Sequence, residues 1–166
     1  MDKQITSRYD DAIERAQVEA GSNRKLELRQ CLRNWASKEK DRNRLFGNLL
    51  SAEKSTSPIV ILEIGNSGFP RYDYILVEGS TIKSSFKAQT SRDLVDDVHA
   101  IISGISAHDM ARYRGSAHSS IDDGDCYFLT VRKDGAIKQV AVYGELGSTS
   151  SGLLTKDLIS AVTGNE

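Results

Sequence analysis

A chain of 166 residues with 39% hydrophobic and 27% charged residues has the size and make-up of one soluble domain. Its formal net charge of -1 argues against a global field that would attract nucleic acid or an anionic membrane surface. No run approaches the roughly 18 to 20 apolar residues that a spanning helix needs, so no membrane is expected.

The chain opens on Met1-Asp2-Lys3-Gln4-Ile5, without the apolar core of a signal peptide. This reading places the protein in the cytoplasm. There the two cysteines, Cys31 and Cys126, are expected as free buried thiols. Residues 1–54 hold 12 basic and 9 acidic residues; the remainder holds 10 and 14. The asymmetry fits a helical N-terminal segment (1–54) beside an α+β domain (55–166), the two attracting each other as one compact unit.

Helical spacing of Ile5, Tyr9, Ile13, Ala16 and Ala20 predicts a first helix, interrupted by Gly21-Ser22-Asn23. A second helix starting near Asn23 carries Leu28, Cys31, Leu32 and Trp35 on its apolar face. The polar run from Ser37 to Arg44 reads as a solvated helix face before Leu45, Phe46, Leu49 and Leu50 resume the pattern.

Pro58 suits the first position of a strand. Ile59–Ile64 is apolar on both faces apart from Glu63, the mark of a central strand. Ser67-Gly68-Phe69-Pro70 forms a shaped turn. Gly68 is free to take positive φ, Pro70 restricts Phe69 to extended backbone, and Phe69 is expected as a buried plug at one end of the sheet. Tyr72–Val77 is a second strand. After Glu78-Gly79, Thr81–Lys87 is a third, more polar strand expected near an edge.

Thr90-Ser91-Arg92-Asp93 opens a helix with the stripe Leu94, Val98, Ile101, Ile102 and Ile105, ending near Gly104. Ser106 to Gly124 reads as a long polar loop. Cys126–Arg132 and Ile137–Tyr143 form a hairpin through Lys133-Asp134-Gly135-Ala136. A Gly/Ser-rich connector, Gly144 to Gly152, leads to a last helix bearing Leu154, Leu158, Ile159 and Val162, with Gly164 as its cap. Short turns between consecutive strands predict an α+β fold. Its mostly antiparallel sheet has about five strands, with helices on one face and the helical N-terminal segment besides.

The chemistry-bearing residues are sparse. His99 has Asp96 and Asp97 near it in sequence but not on its helix face. His108-Asp109 is similar to the metal-binding dipeptide of helical phosphohydrolases, a family that needs further ligands in an order this chain lacks. Asp122-Asp123-Gly124-Asp125 lacks the distal Glu of a calcium loop. The Gly144–Gly152 stretch lacks the Lys of a phosphate loop. No metal, cofactor or catalytic group is therefore assigned, and a binding protein is expected rather than an enzyme.

The Ser67–Pro70 turn, with an apolar strand before it and a strand-turn-strand after it, resembles a segment of small cytoplasmic immunity proteins. These proteins neutralise bacterial polymorphic toxins, including those delivered by contact-dependent and type VI systems. The resemblance covers residues 59 to 86, including an apolar position like Phe86. It implies a protein that needs no cofactor and occludes or clamps a cognate toxin domain, such as a nuclease or nucleic-acid-modifying enzyme. An acidic patch would suit the basic surface of such a partner. Asp122, Asp123, Asp125, Tyr72 and Asp73 are the expected contact residues. Two other readings stay open. One is a scaffold or regulatory module that forms homo-oligomers through an edge strand such as Thr81–Lys87. The other is a metal-dependent hydrolase using His108, His118 and nearby Asp residues.

Overall fold

The computed structural model describes residues 3–42, 44, 57–86, 92–119, 122, 124–147 and 149–164. Two helices, α1 (Lys3–Arg15) and α2 (Lys25–Asn34), come first, followed by a 3-10 turn at Ala36–Lys38. Strands β1 (Ile59–Asn66), β2 (Asp73–Glu78) and β3 (Thr81–Ser84) form a meander. Helices α3 (Arg92–Ser103) and α4 (Ala107–Arg112) lead to the hairpin of β4 (Asp125–Lys133) and β5 (Ala136–Tyr143), and α5 (Ser150–Thr163) closes the order. Every strand pair is antiparallel, in the order β3-β2-β1-β4-β5. This is the α+β fold read from the alternating pattern and short turns.

The central strand is β1, and all eight of its positions are buried. Its side chains alternate between the two faces of the sheet, with Ile59 and Ile61 packing with Leu76 on the face opposite Val60, Leu62 and Ile64. Val60, Leu62 and Ile64 join Ile75, Val77, Leu129 and Val131 under α3 and α5. The other face of β4 and β5 sends Cys126, Phe128, Ala141 and Tyr143 into a second core with Tyr9, Ile13, Leu28, Cys31 and Trp35 of the N-terminal segment. The sheet is therefore covered on both faces: α3 and α5 fill the one expected from the sequence, and α1 and α2 fill the other. Gly65 makes the second contact possible. A Cβ at this position would fall inside the Trp35 indole, so only glycine lets the ring lie on β1.

Turn chemistry sets the hairpin. Asp134 (φ 53°) and Gly135 (φ 78°) both take the left-handed region, as a two-residue turn matched to strand twist requires. β3 is four residues long and lies at an edge, as its polar sequence implies. Gly164 (φ 72°) ends α5 in the left-handed conformation.

Several expectations need correction. Cys31 and Cys126 are joined in a disulfide between α2 and β4, not free. The first helix stops at Arg15, because Gln17 leaves it to pair with the chain near Ser116. Its backbone N–H donates to Gly115 O, and Ala117 N–H donates back to Gln17 O. The stretch from Ser106 is not all loop. Ser106 and Asp109 form a reciprocal capping box that starts α4. Residues 115–117 then lie along the outer edge of β5, with Ser116 N–H donating to Ala141 O and Tyr143 N–H to Ser116 O. Leu45, Phe46, Leu49, Leu50, Thr90 and Ser91, on which other expectations rested, lie outside the described residues.

Candidate functional site: the turn end of the sheet

The register of β1 on β4 pairs Asn66 with Asp125, so the start of β4 meets the turn that follows β1. The turn is fastened from several directions. Asn66 Oδ1 accepts from Gly68 N–H at 2.8 Å, and its Nδ2 donates to Asp125 at 3.0 Å. Ser67 N–H donates to Gly124 O, and Asn34 Nδ2 donates to Asn66 O. Trp35 Nε1 donates to Arg71 O at 2.9 Å. From beneath, the fully buried Tyr143 hydroxyl accepts from Gly124 N–H at 2.8 Å. These bonds remove the loop entropy that a binding surface would otherwise lose on contact.

Phe69 sits on this fastened turn and is 53% exposed. It is not the buried plug that the sequence suggested, nor is Gly68 among the positive-φ glycines. The Asn66 side chain, rather than a left-handed glycine, shapes the bend.

The expected contact residues gather around this turn in part. Asp73 and Asp125 come together because both bind Arg71, at 2.9 and 3.1 Å. Burial disfavours the Arg71 charge, but hydrogen bonds and attraction from the two carboxylates outweigh it and raise its pKa. Asp122, with 85% of its side chain exposed, pairs with Arg24 at the start of α2. Asp123 lies outside the described residues. Each described carboxylate of the acidic patch thus has a guanidinium partner, and the patch is less negative than its sequence.

Tyr72 points away from this surface into a buried polar cluster that the sequence did not announce. Glu63 is fully buried in the middle of β1 and accepts three hydrogen bonds. Tyr72 Oη donates at 2.6 Å, Arg42 Nε donates at 2.8 Å, and the Tyr9 hydroxyl is the third donor. The Arg42 guanidinium, 4% exposed, lies against the rings of Trp35, Tyr9 and Tyr72 at 4.8, 5.0 and 5.6 Å. The apolar run of β1 broken by Glu63 alone was the available signal. Its partner in the polar run around Arg42 was not readable. Because water is excluded and the carboxylate is neutralised, the cluster serves as a lock between α1, the segment at residue 42, β1 and the entry to β2.

The lock has a pH signature. Burial first, then the Glu63 charge, raise the ionisation of both Tyr9 and Tyr72 well above the ordinary tyrosine value. Their stabilisation is complete below the unfolded value of about 10 and is lost as pH rises from there. In that range the unfolded chain releases phenolic protons that the folded chain keeps. Stability in urea should therefore fall between about pH 9.5 and 11, with a shallower fall in Tyr72→Phe. Parallel slopes for the two proteins would show that Tyr72 is not held neutral by the fold.

The histidines do not converge. His99 and His108 are exposed on α3 and α4, and half-buried His118 faces Gln17 O and Glu19. Among the described residues no group of three or more His, Cys, Asp or Glu could hold a metal ion. No described helix is long and apolar enough to cross a membrane. No family model, curated protein or solved structure matches this chain, so its function has to be read from its own residues.

Proposed function

We propose that this protein is a non-catalytic binding module that neutralises a cognate bacterial toxin domain, as an immunity protein does, by occluding its active or substrate-binding surface. Phe69 is the observation that carries the reading. A large aromatic exposed on a multiply fastened turn, rimmed by the Asp73–Arg71–Asp125 ion pairs, has the make-up of an interface anchor. An exposed apolar side chain on a tethered loop gains more by being covered than by remaining in water. The flanking carboxylates would orient a basic partner such as a nuclease. The same turn carries the likeness to immunity proteins.

Co-expression in a test bacterium with the toxin domain encoded beside its gene tests this. Growth should be rescued, and the pair should co-purify. Phe69→Ala, which empties no core, should weaken the complex about 30-fold or more. Asp125→Lys should add a loss that grows at low salt. Toxicity that persists beside the wild-type chain would end the proposal.

A second reading concerns where this occurs. The resemblance places the encounter in the cytoplasm. The Cys31–Cys126 disulfide instead favours an oxidising compartment, where such bonds persist. A toxin met outside the cytosol would satisfy both the exposed anchor and the disulfide.

A further inference from the structure

A cleft of about 430 Å³ opens beside β5, away from the Phe69 turn, between the end of α1 and the segment that follows α4. Its size lies within the usual range for small-molecule sites. Three cations from three separate elements line it: Arg15 from the last turn of α1, Arg114 after α4, and Lys138 from β5. Among the described residues, none of those lining it is acidic. Arg15 donates to Gln139 O at 3.3 Å, and Arg114 Nη1 donates to Ala111 O and Tyr113 O at 2.7 and 3.0 Å. Neutral carbonyls hold both guanidinium groups in place, and among the described residues neither has a carboxylate partner.

Two further features mark the cleft as unfinished. Gln139 lines it while only 5% exposed, and its Oε1 is buried with no hydrogen-bond partner among the described residues. Such an acceptor is destabilising unless a donor completes it, and a hydroxyl on the organic part of a ligand, not its anionic group, would have to bring that donor. The cleft also lies where the cover of the β5 edge stops. Residues 115–117 bond to Ala141 and Tyr143, and no backbone partner follows them onto Gln139 N–H among the described residues. Gly115 is fixed there by packing, since a Cβ would strike Ala141 O.

We propose that this cleft binds a small organic phosphate, the dianion seated among Arg15, Arg114 and Lys138 and the organic part against Tyr113. Three cations lining one cleft suit a phosphate monoester, which carries close to two negative charges, better than a single carboxylate. A concave site in a chain of net charge -1 suits a small anion better than a nucleic-acid strand.

Isothermal titration of the full chain with AMP and with inorganic pyrophosphate, at fixed ionic strength, tests the site. Saturable one-to-one binding below about 1 mM is expected. Lys138→Gln should weaken it about tenfold, and so should Arg15→Gln, the loss of one charge-assisted contact each. Lys138→Gln should leave the unfolding midpoint unchanged, which separates loss of the site from loss of the fold. Absence of saturable binding to either probe would overturn the proposal. Affinity unaltered by both substitutions, equal affinity for citrate, or tighter binding of a short single-stranded oligonucleotide would also do so.

Discussion

Replacing Glu63 with glutamine should lower the free energy of unfolding by about 3–5 kcal/mol. The amide matches the carboxylate in shape, so packing is preserved. What changes is the charge on Arg42, which stays enclosed by three aromatic rings while the buried carboxylate facing it becomes neutral. Removing one charge of a buried ion pair is among the larger single destabilisations a fold can suffer. Equilibrium unfolding in urea would show a lower midpoint with little change in slope. The combined substitution Glu63→Leu, Arg42→Met, Tyr9→Phe and Tyr72→Phe removes both charges together with the two hydroxyls that donate to Glu63 and should recover most of the loss, because an apolar replacement of a buried polar cluster is often neutral. A single Glu63→Gln variant within 1 kcal/mol of wild type would mean that water reaches the cluster.

The second large effect belongs to the disulfide. Cys31 and Cys126 are 95 residues apart in sequence, so the bond closes a loop that spans much of the chain. In the chain-entropy account a loop of this length is worth about 4–5 kcal/mol, through restriction of the unfolded state. The double substitution Cys31→Ala, Cys126→Ala should therefore unfold at clearly lower urea concentration. Wild type in excess reductant should move toward it. Alkylation of freshly lysed cells followed by intact-mass measurement would show whether the bond forms in the native host. Stability unchanged by the double substitution would leave the bond without the predicted role.

These two links also mark where sequence reading reaches its limit. Ile59–Ile64 was legible as a central strand because both of its faces are apolar, and the β4–β5 hairpin because Asp134-Gly135 demands one turn type. Such signals are local, and they survive when the rest of the chain is ignored. The Ser106/Asp109 capping box was equally local, but the polarity of its surroundings obscured it. The pairing of Cys31 with Cys126, and of Arg42 with Glu63, depends on α2 and the segment at residue 42 closing over the far face of the sheet. No spacing encodes that. Phe69 illustrates the reverse error: an aromatic beside an apolar strand invites burial, yet Asn66 bends the chain outward before the core can take it. Of the expected contact residues, Asp73 and Asp125 were brought to one place by Arg71, while Tyr72 was claimed by the interior.

The strip of chain at 115–117 has a bearing on solubility. An unprotected outer strand is a template on which other molecules can add, and β5 is eight residues long with a mostly buried pattern. Folding residues 115–117 back along Ala141 and Tyr143 occupies the main-chain groups a foreign strand would seek. At the opposite margin, β3 offers only four residues and exposes Lys83. The chain thus spends part of its own backbone as a selvedge, finishing one side of the sheet so that the fabric does not extend from molecule to molecule.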